Sequence, residues 1–139
     1  MKRHISPNRF YSFILPNSWE LEESAECLSL FDPKEGVGTC QISCYSFPPN
    51  RDVSADDILL DYLNDKDIIG SPPKLKSGSN SGLPYASTEY VDKENSYWDV
   101  WVIVQKNKVV LITYNCKLED VNKEKKLFHN LVKSVEIIE

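Results

Sequence analysis

The stretch Tyr97-Trp98-Asp99-Val100-Trp101-Val102-Ile103-Val104-Gln105-Lys106-Asn107-Lys108-Val109-Val110-Leu111-Ile112-Thr113-Tyr114-Asn115-Cys116 decides the fold. Two runs rich in β-branched and aromatic residues flank a short polar break, which is the signature of a β-hairpin. We place the strands at 97–106 and 109–116 around an Asn107-Lys108 turn, because asparagine tolerates the positive φ of a two-residue hairpin loop. That register pairs Trp101 with Tyr114 and Ile103 with Ile112 on one face. On the other face Val102 meets Thr113 and Val104 meets Leu111, and Trp98 and Val100 extend it. Both faces are mainly apolar. The pattern predicts two central strands covered on both sides.

Upstream, Phe10 to Leu15 reads as a strand stopped by Pro16-Asn17-Ser18. Extended segments follow at Trp19 to Glu22, Cys27 to Phe31 and Thr39 to Phe47, and Pro48-Pro49-Asn50 closes this antiparallel region. The period then changes. Ser54 caps a helix with Asp56 and Asp57 in its first turn. Ile58, Leu59, Tyr62 and Leu63 form its apolar stripe. The helix frays near Asp67 to Gly70, and Pro72 and Pro73 forbid its continuation. Lys74 to Lys76 reads as a short strand.

Ser77-Gly78-Ser79-Asn80-Ser81-Gly82 lacks the Gly-Lys-Ser/Thr ending of a phosphate loop. It reads as a mobile hairpin or connector, with a ligand lid as the alternative. Tyr85 to Asp92 is a further strand. Downstream of the hairpin, Asp120 or Asn122 caps a last helix running through about Lys133, with Leu127, Phe128, Leu131 and Val132 on its apolar side and Val135 near its end. The fold class is α+β: an antiparallel sheet with helices packed on it, one domain over 1–139, with 1–9 as a loose N-terminus.

Composition narrows the function classes. The chain has 139 residues, 41% hydrophobic and 27% charged, as expected of one globular domain. A net charge of −5, with acids interspersed among Lys123, Lys125 and Lys126, argues against a nucleic-acid surface. No segment approaches the ~20 apolar residues of a membrane helix, and none follows the basic N-terminus as a signal peptide would. The expectation is a cytoplasmic protein without membrane insertion. Cys27, Cys40, Cys44 and Cys116 form no C-x-x-C pair, and Cys40 and Cys44 lie ~13 Å apart along one strand, too far for a disulfide. Free, buried thiols are expected. With His4 and His129 the only histidines, neither a metal site nor a cofactor is expected.

No nucleophile elbow, H-E-x-x-H or dinucleotide fingerprint is present. His129 projects beside Lys125 and Lys133 and reads as solvent-facing. The candidates that remain suit protein binding. Trp101, Tyr114 and Tyr97 lie on the sheet, where aromatic side chains either fill the core or anchor a partner. Asp57, Asp61 and Asp65 recur every four residues on one helical face. That spacing is mildly destabilising, and it marks a solvated surface, a partner contact or a weak cation site.

The run Phe10-Tyr11-Ser12-Phe13-Ile14-Leu15-Pro16-Asn17-Ser18-Trp19 resembles the aromatic, apolar, Pro, x, x, Trp opening of the PsbP-like superfamily. Trp98 to Gln105, Val109 to Tyr114 and a closing helix with Phe128, Leu131, Val132 and Ser134 resemble that fold's C-terminal half. The superfamily includes an oxygen-evolving photosystem subunit, a Ran-binding nuclear-transport cofactor, chaperones of type VI secretion effectors and many small bacterial proteins. The chain is most similar in character to the last group. The resemblance implies an αβα sandwich and non-catalytic work: a chaperone, adaptor or inhibitor that binds a protein partner, or a homodimer. The alternative is a small-ligand-binding or hydrolytic enzyme built around a closed pocket.

Overall fold

A computed structural model describes residues 2–51, 53–66, 68 and 73–138. The hairpin forms as β8 (Ser96–Gln105) and β9 (Lys108–Lys117). It sits inside an antiparallel sheet of seven strands. Beyond β9 lie β5 (Gly38–Ser46), β4 (Leu28–Phe31) and β3 (Glu20–Glu23). Beyond β8 lie β7 (Leu83–Val91) and, at the edge, β6 (Lys76–Asn80). β8 and β9 are therefore interior strands with both faces covered, as their two-sided apolar pattern requires.

The register is two residues from the expected one: Trp101 pairs with Ile112, Ile103 with Val110 and Val104 with Val109. A slip of two leaves every side chain on its expected face. The loop is Lys106-Asn107, and Lys106 takes the positive φ of 58°. Asn107 has another task. Its amide donates to the Phe47 carbonyl, and its own carbonyl accepts from the Phe47 N–H at 2.9 Å, tying the hairpin tip to the end of β5.

One face of the sheet is covered by α1 (Ala55–Leu63). Ser54 caps it as expected, accepting from the Asp57 N–H. Leu59 and Ile58 pack with Ala86, Val100, Val102, Val104 and Val109. Of the expected fraying, Asp67, Ile69 and Gly70 lie outside the described residues, as does Pro72.

The other face is covered by α2 (Lys125–Lys133) and a small sheet. The small sheet sets β2 (Tyr11–Ile14) between β1 (Arg3–Ile5) and β10 (Glu136–Ile137). Phe128, Leu131 and Val132 of α2 join Tyr11, Phe13, Ile42, Ile112 and Tyr114 in one core. The architecture is an αβα sandwich whose second layer is shared between a helix and three strands.

Two expectations change, at the N-terminus and at the start of the last helix, and two open readings, of the Ser77–Gly82 hairpin and of Tyr114, are resolved. Residues 3–5 are not loose: Arg3 reaches Ser12 Oγ and the Ser134 carbonyl, each at 2.9 Å, and pairs with Glu136. The Ser77–Gly82 run is β6 plus a two-residue turn, with Ser81 at φ 51° and Gly82 at φ 86°. The last helix starts at Lys125, later than Asp120 or Asn122 would have it. Leu118–Asp120 form a 3-10 turn instead, and Asp120 pairs with Lys123. Tyr114 is no surface aromatic: it is 1% exposed, packed at a tilt against Phe128 with ring centroids 5.3 Å apart, and its hydroxyl donates to Glu124 at 2.7 Å.

Glu124, itself buried, also accepts from the Gly38 N–H at 3.1 Å. It thus links β5, β9 and the start of α2. Tyr114→Phe removes a buried, charge-assisted hydrogen bond, and is expected to lower unfolding free energy by about 1–3 kcal/mol in urea titrations. The β7–β8 turn supplies a second test. Asp92 accepts from the Glu94 and Ser96 N–H groups and from Trp98 Nε1. Desolvation raises its pKa, but these three bonds outweigh it, and the net shift is downward. Its contribution is therefore complete above the ordinary value of 3.8 and is lost as pH falls through the lowered one. Asp92→Asn should flatten the acid limb of a stability-against-pH curve.

Candidate functional site

α2 meets β6 at Asn80, whose amide donates to the Val132 carbonyl at 3.0 Å, but leaves the Lys76 end of the second face open. A cleft of about 390 Å³ remains there, lined by Lys74, Lys76, Tyr85, Ser87, Glu89, Asp99, Trp101 and His129. Strand register builds it. Ser87 lies opposite Trp101 and Glu89 opposite Asp99, and directly opposed residues share a face. Lys76 lies opposite Ser87 and Gly78 opposite Tyr85. Gly78 matters here: a Cβ would come within 2.9 Å of the Tyr85 ring, so glycine lets that ring lie against β6. Tyr85 and Trp101 then meet at 4.8 Å between centroids and form an aromatic floor.

Asp99 is the one acid among the apolar residues of β8, and it is 2% exposed. Its Oδ1 accepts from Trp101 Nε1 at 2.9 Å, and its Oδ2 lies 2.9 Å from His129 Nε2. A buried carboxylate is tolerated only with partners of this kind. Glu89, on the neighbouring strand, pairs with Lys125 at 3.2 Å. The Tyr97 hydroxyl is buried with no hydrogen-bond partner of good geometry. Burial first, then the charges of Asp99 and Glu89, push its pKa up.

The sequence-derived site residues divide between the two faces. Trp101 is half-buried and lines the cleft. Tyr97 and Tyr114 are buried beneath it and have no free surface to offer a partner. Asp57 and Asp61 are exposed on α1, across the sheet from Trp101, but the helix ends at Leu63, so Asp65, also exposed, lies in the turn that follows and not on the same helical face. Asp65 borders a separate cavity of about 310 Å³ with Tyr62, Tyr90 and Trp98, where the Lys66 ammonium sits 4.4 Å over the Tyr62 ring. His129, read as solvent-facing, is instead turned inward against Trp101, with ring centroids 5.9 Å apart. Sequence reasoning missed Asp99 and Glu89 altogether. The signal for Asp99 was present, as a lone carboxylate inside a run of buried residues.

All four cysteines are free; Cys40 and Cys116 are buried, and Cys27 and Cys44 are half-buried. Among the described residues no helix is long and apolar enough to cross a membrane.

The model of the family described as a domain of unknown function, DUF3805, matches residues 1–139, and the chain belongs to that family. No curated protein matches the chain. Among solved structures, cyanobacterial PsbP (CyanoP) from Synechocystis sp. PCC 6803 superposes with a TM-score of 0.70 at 15% identity, over 99% of this chain and 92% of that one. A protein from Bacteroides thetaiotaomicron gives a TM-score of 0.72 at 15% identity over 99% of this chain, which spans 48% of that longer protein. LpqN of Mycobacterium tuberculosis, described as involved in cell envelope biogenesis, gives 0.64 at 12% identity, over 99% and 90% of the two chains. The fold is PsbP-like.

The Asp99 arrangement predicts a stability cost. Asp99→Ala leaves the Trp101 indole N–H without its acceptor and the His129 ring without its partner. We expect a loss of about 1–3 kcal/mol, read by urea denaturation, with Trp101 fluorescence altered in the native state.

Proposed function

We propose that this member of the DUF3805 family is a non-catalytic protein-binding module that takes an extended, acidic segment of its partner along β6 and into the adjoining cleft. One observation carries the reading: an outer edge strand runs beside an accessible aromatic floor with lysines at its rim. The two edges of the large sheet differ. β3 carries Glu20, Glu22 and Glu23, charges that discourage strand addition. β6 reads Lys-Ser-Gly-Ser-Asn, and apart from Lys76 it carries no charge. Such an edge can accept a strand through main-chain hydrogen bonds, while alternate side chains of the guest enter neighbouring pockets. Here the neighbouring pocket offers Tyr85 and Trp101, aromatic residues of the type that dominate interface energetics. Lys74 and Lys76 favour carboxylates on the guest. The fold likeness supports the reading only by analogy.

Panning a random peptide library against the intact protein tests this. Selected peptides should be rich in Asp and Glu, and their addition should shift the amide resonances of 76–80. Tyr85→Ala should weaken binding by about tenfold or more, as loss of an aromatic anchor does. Lys76→Glu should reverse the acidic preference. Binders without acidic bias, or resonance shifts confined to other strands, would overturn the proposal.

A further inference from the structure

We propose that Glu89, Asp99 and His129 form a binding site for a divalent transition-metal ion, zinc being the first to test. One ligand atom from each residue lies within 4.8 Å of the other two. The three come from three elements that the core fixes relative to one another. Glu89 on β7 and Asp99 on β8 are opposed in register, and His129 reaches down from α2. Asp99 Oδ2 and His129 Nε2 are already 2.9 Å apart. Ligand atoms around a tetrahedral zinc, each bonded at ~2.0–2.2 Å, stand roughly 3.3 Å from one another. Two of the three positions are therefore close to coordination spacing, and Glu89 is the arm that closes. Its side chain is 39% exposed and pairs with Lys125 at 3.2 Å.

Two features of the surroundings point the same way. Trp101 Nε1 holds Asp99 Oδ1, which orients Oδ2 towards His129, the role an outer-shell donor plays around a metal-ligating carboxylate. The Tyr97 hydroxyl, in a residue only 6% exposed, has no hydrogen-bond partner of good geometry, and the charges that act on it most are those of Asp99 and Glu89. A metal-bound water would give it one. Charge also balances. A divalent ion neutralises the two carboxylates, which Lys125 and His129 now hold, and the partly exposed Lys125 can swing to solvent. One imidazole nitrogen with two carboxylate oxygens suits zinc, cobalt, nickel or manganese, whereas calcium prefers six or more oxygen ligands. Three protein ligands leave a coordination position open towards the cleft.

The site stands independently of the peptide-binding reading, and the experiment separates them. The intact protein, stripped with chelator and without peptide, is titrated with Zn²⁺ by calorimetry, with Ca²⁺ as control, and with Co²⁺ while its visible absorption is followed. One equivalent of zinc should bind, calcium should not compete, and cobalt should give the spectrum of a four- or five-coordinate site. Glu89→Gln and His129→Gln should each weaken zinc binding by more than about 100-fold, beyond what outer-shell changes cost. Glu89 is at the surface, so its variant keeps the test open should His129→Gln disturb the fold. Lys125→Gln should tighten binding by removing the competing ammonium. Lys76→Glu, which tests the peptide reading, should not lose the metal. No stoichiometric zinc binding, or binding unchanged in both Glu89→Gln and His129→Gln, would overturn the proposal.

Discussion

The structure depends on one constraint: the β8–β9 hairpin is apolar on both faces and must be covered twice. Val100, Val102, Val104 and Val109 need a layer on one side, and Tyr97, Ile103, Val110, Ile112 and Tyr114 need one on the other. Each such side chain contributes about 1.5–3 kcal/mol when fully buried. No arrangement with helices on a single face satisfies both sets. The position of the hairpin in the sheet and the placement of α1 and α2 on opposite faces follow from this.

The covering layers are small for the area they must cover. A nine-residue helix is roughly 13.5 Å long and about 10 Å wide, including side chains. Seven strands at about 4.8 Å spacing span roughly 30 Å. On the second face α2 is supplemented by Tyr11, Phe13 and Ile137 from the small sheet, which complete the cover over the β4–β5–β9 side. Part of the β7–β6 side, towards Lys76, is left as the cleft. Its polar residues follow from geometry, since odd-numbered positions of β8 pass from core at Ile103 to cleft at Trp101 and Asp99. Asp99 is tolerable there because α2 brings His129 within hydrogen-bonding distance and Trp101 supplies an indole N–H. The same helix begins where Glu124 ties β5 to β9 through Gly38 and Tyr114. Glu124 therefore fixes the end of α2 that carries His129.

The hairpin, the two faces, α1 with its cap and the α+β class were legible in the sequence because each rests on local periodicity. The strand ends fell within a residue or two for the same reason. What escaped rests on partners distant in sequence. Arg3–Ile5 and Glu136–Ile137 are too short to show alternation, and they exist only because β2 lies between them. β6 is a strand because β7 pairs with it, although Ser-Gly-Ser-Asn has little intrinsic preference for one. The late start of α2 has a similar cause. Glu124 spends its carboxylate on Gly38 and Tyr114 and makes no side-chain cap, a use no local rule anticipates. His129 sits one step off the apolar stripe, where helical projection assigns solvent. Asp99, thirty residues away, turns it inward.

The same reasoning shows why the candidate residues read from sequence do not form one surface. Aromatic content alone grouped Tyr97, Trp101 and Tyr114, and spacing alone grouped Asp57, Asp61 and Asp65. Parity and register decide otherwise. Odd positions of β8 face α2, while α1 packs on the even ones, so the sheet itself stands between the two groups. Burial then divides the aromatic set, because Tyr114 and Tyr97 are sealed in the core, whereas Trp101, touched by His129 of α2, stays half-buried at the cleft. A partner that touched both Trp101 and the acidic row would have to wrap around an edge of the sheet. β6 is the edge beside both: Asp56 of α1 accepts from Ser77 at 2.7 Å on one side of the strand, and Gly78 lies under Tyr85 on the other. β6 is therefore the strand that borders both the cleft and the α1 face.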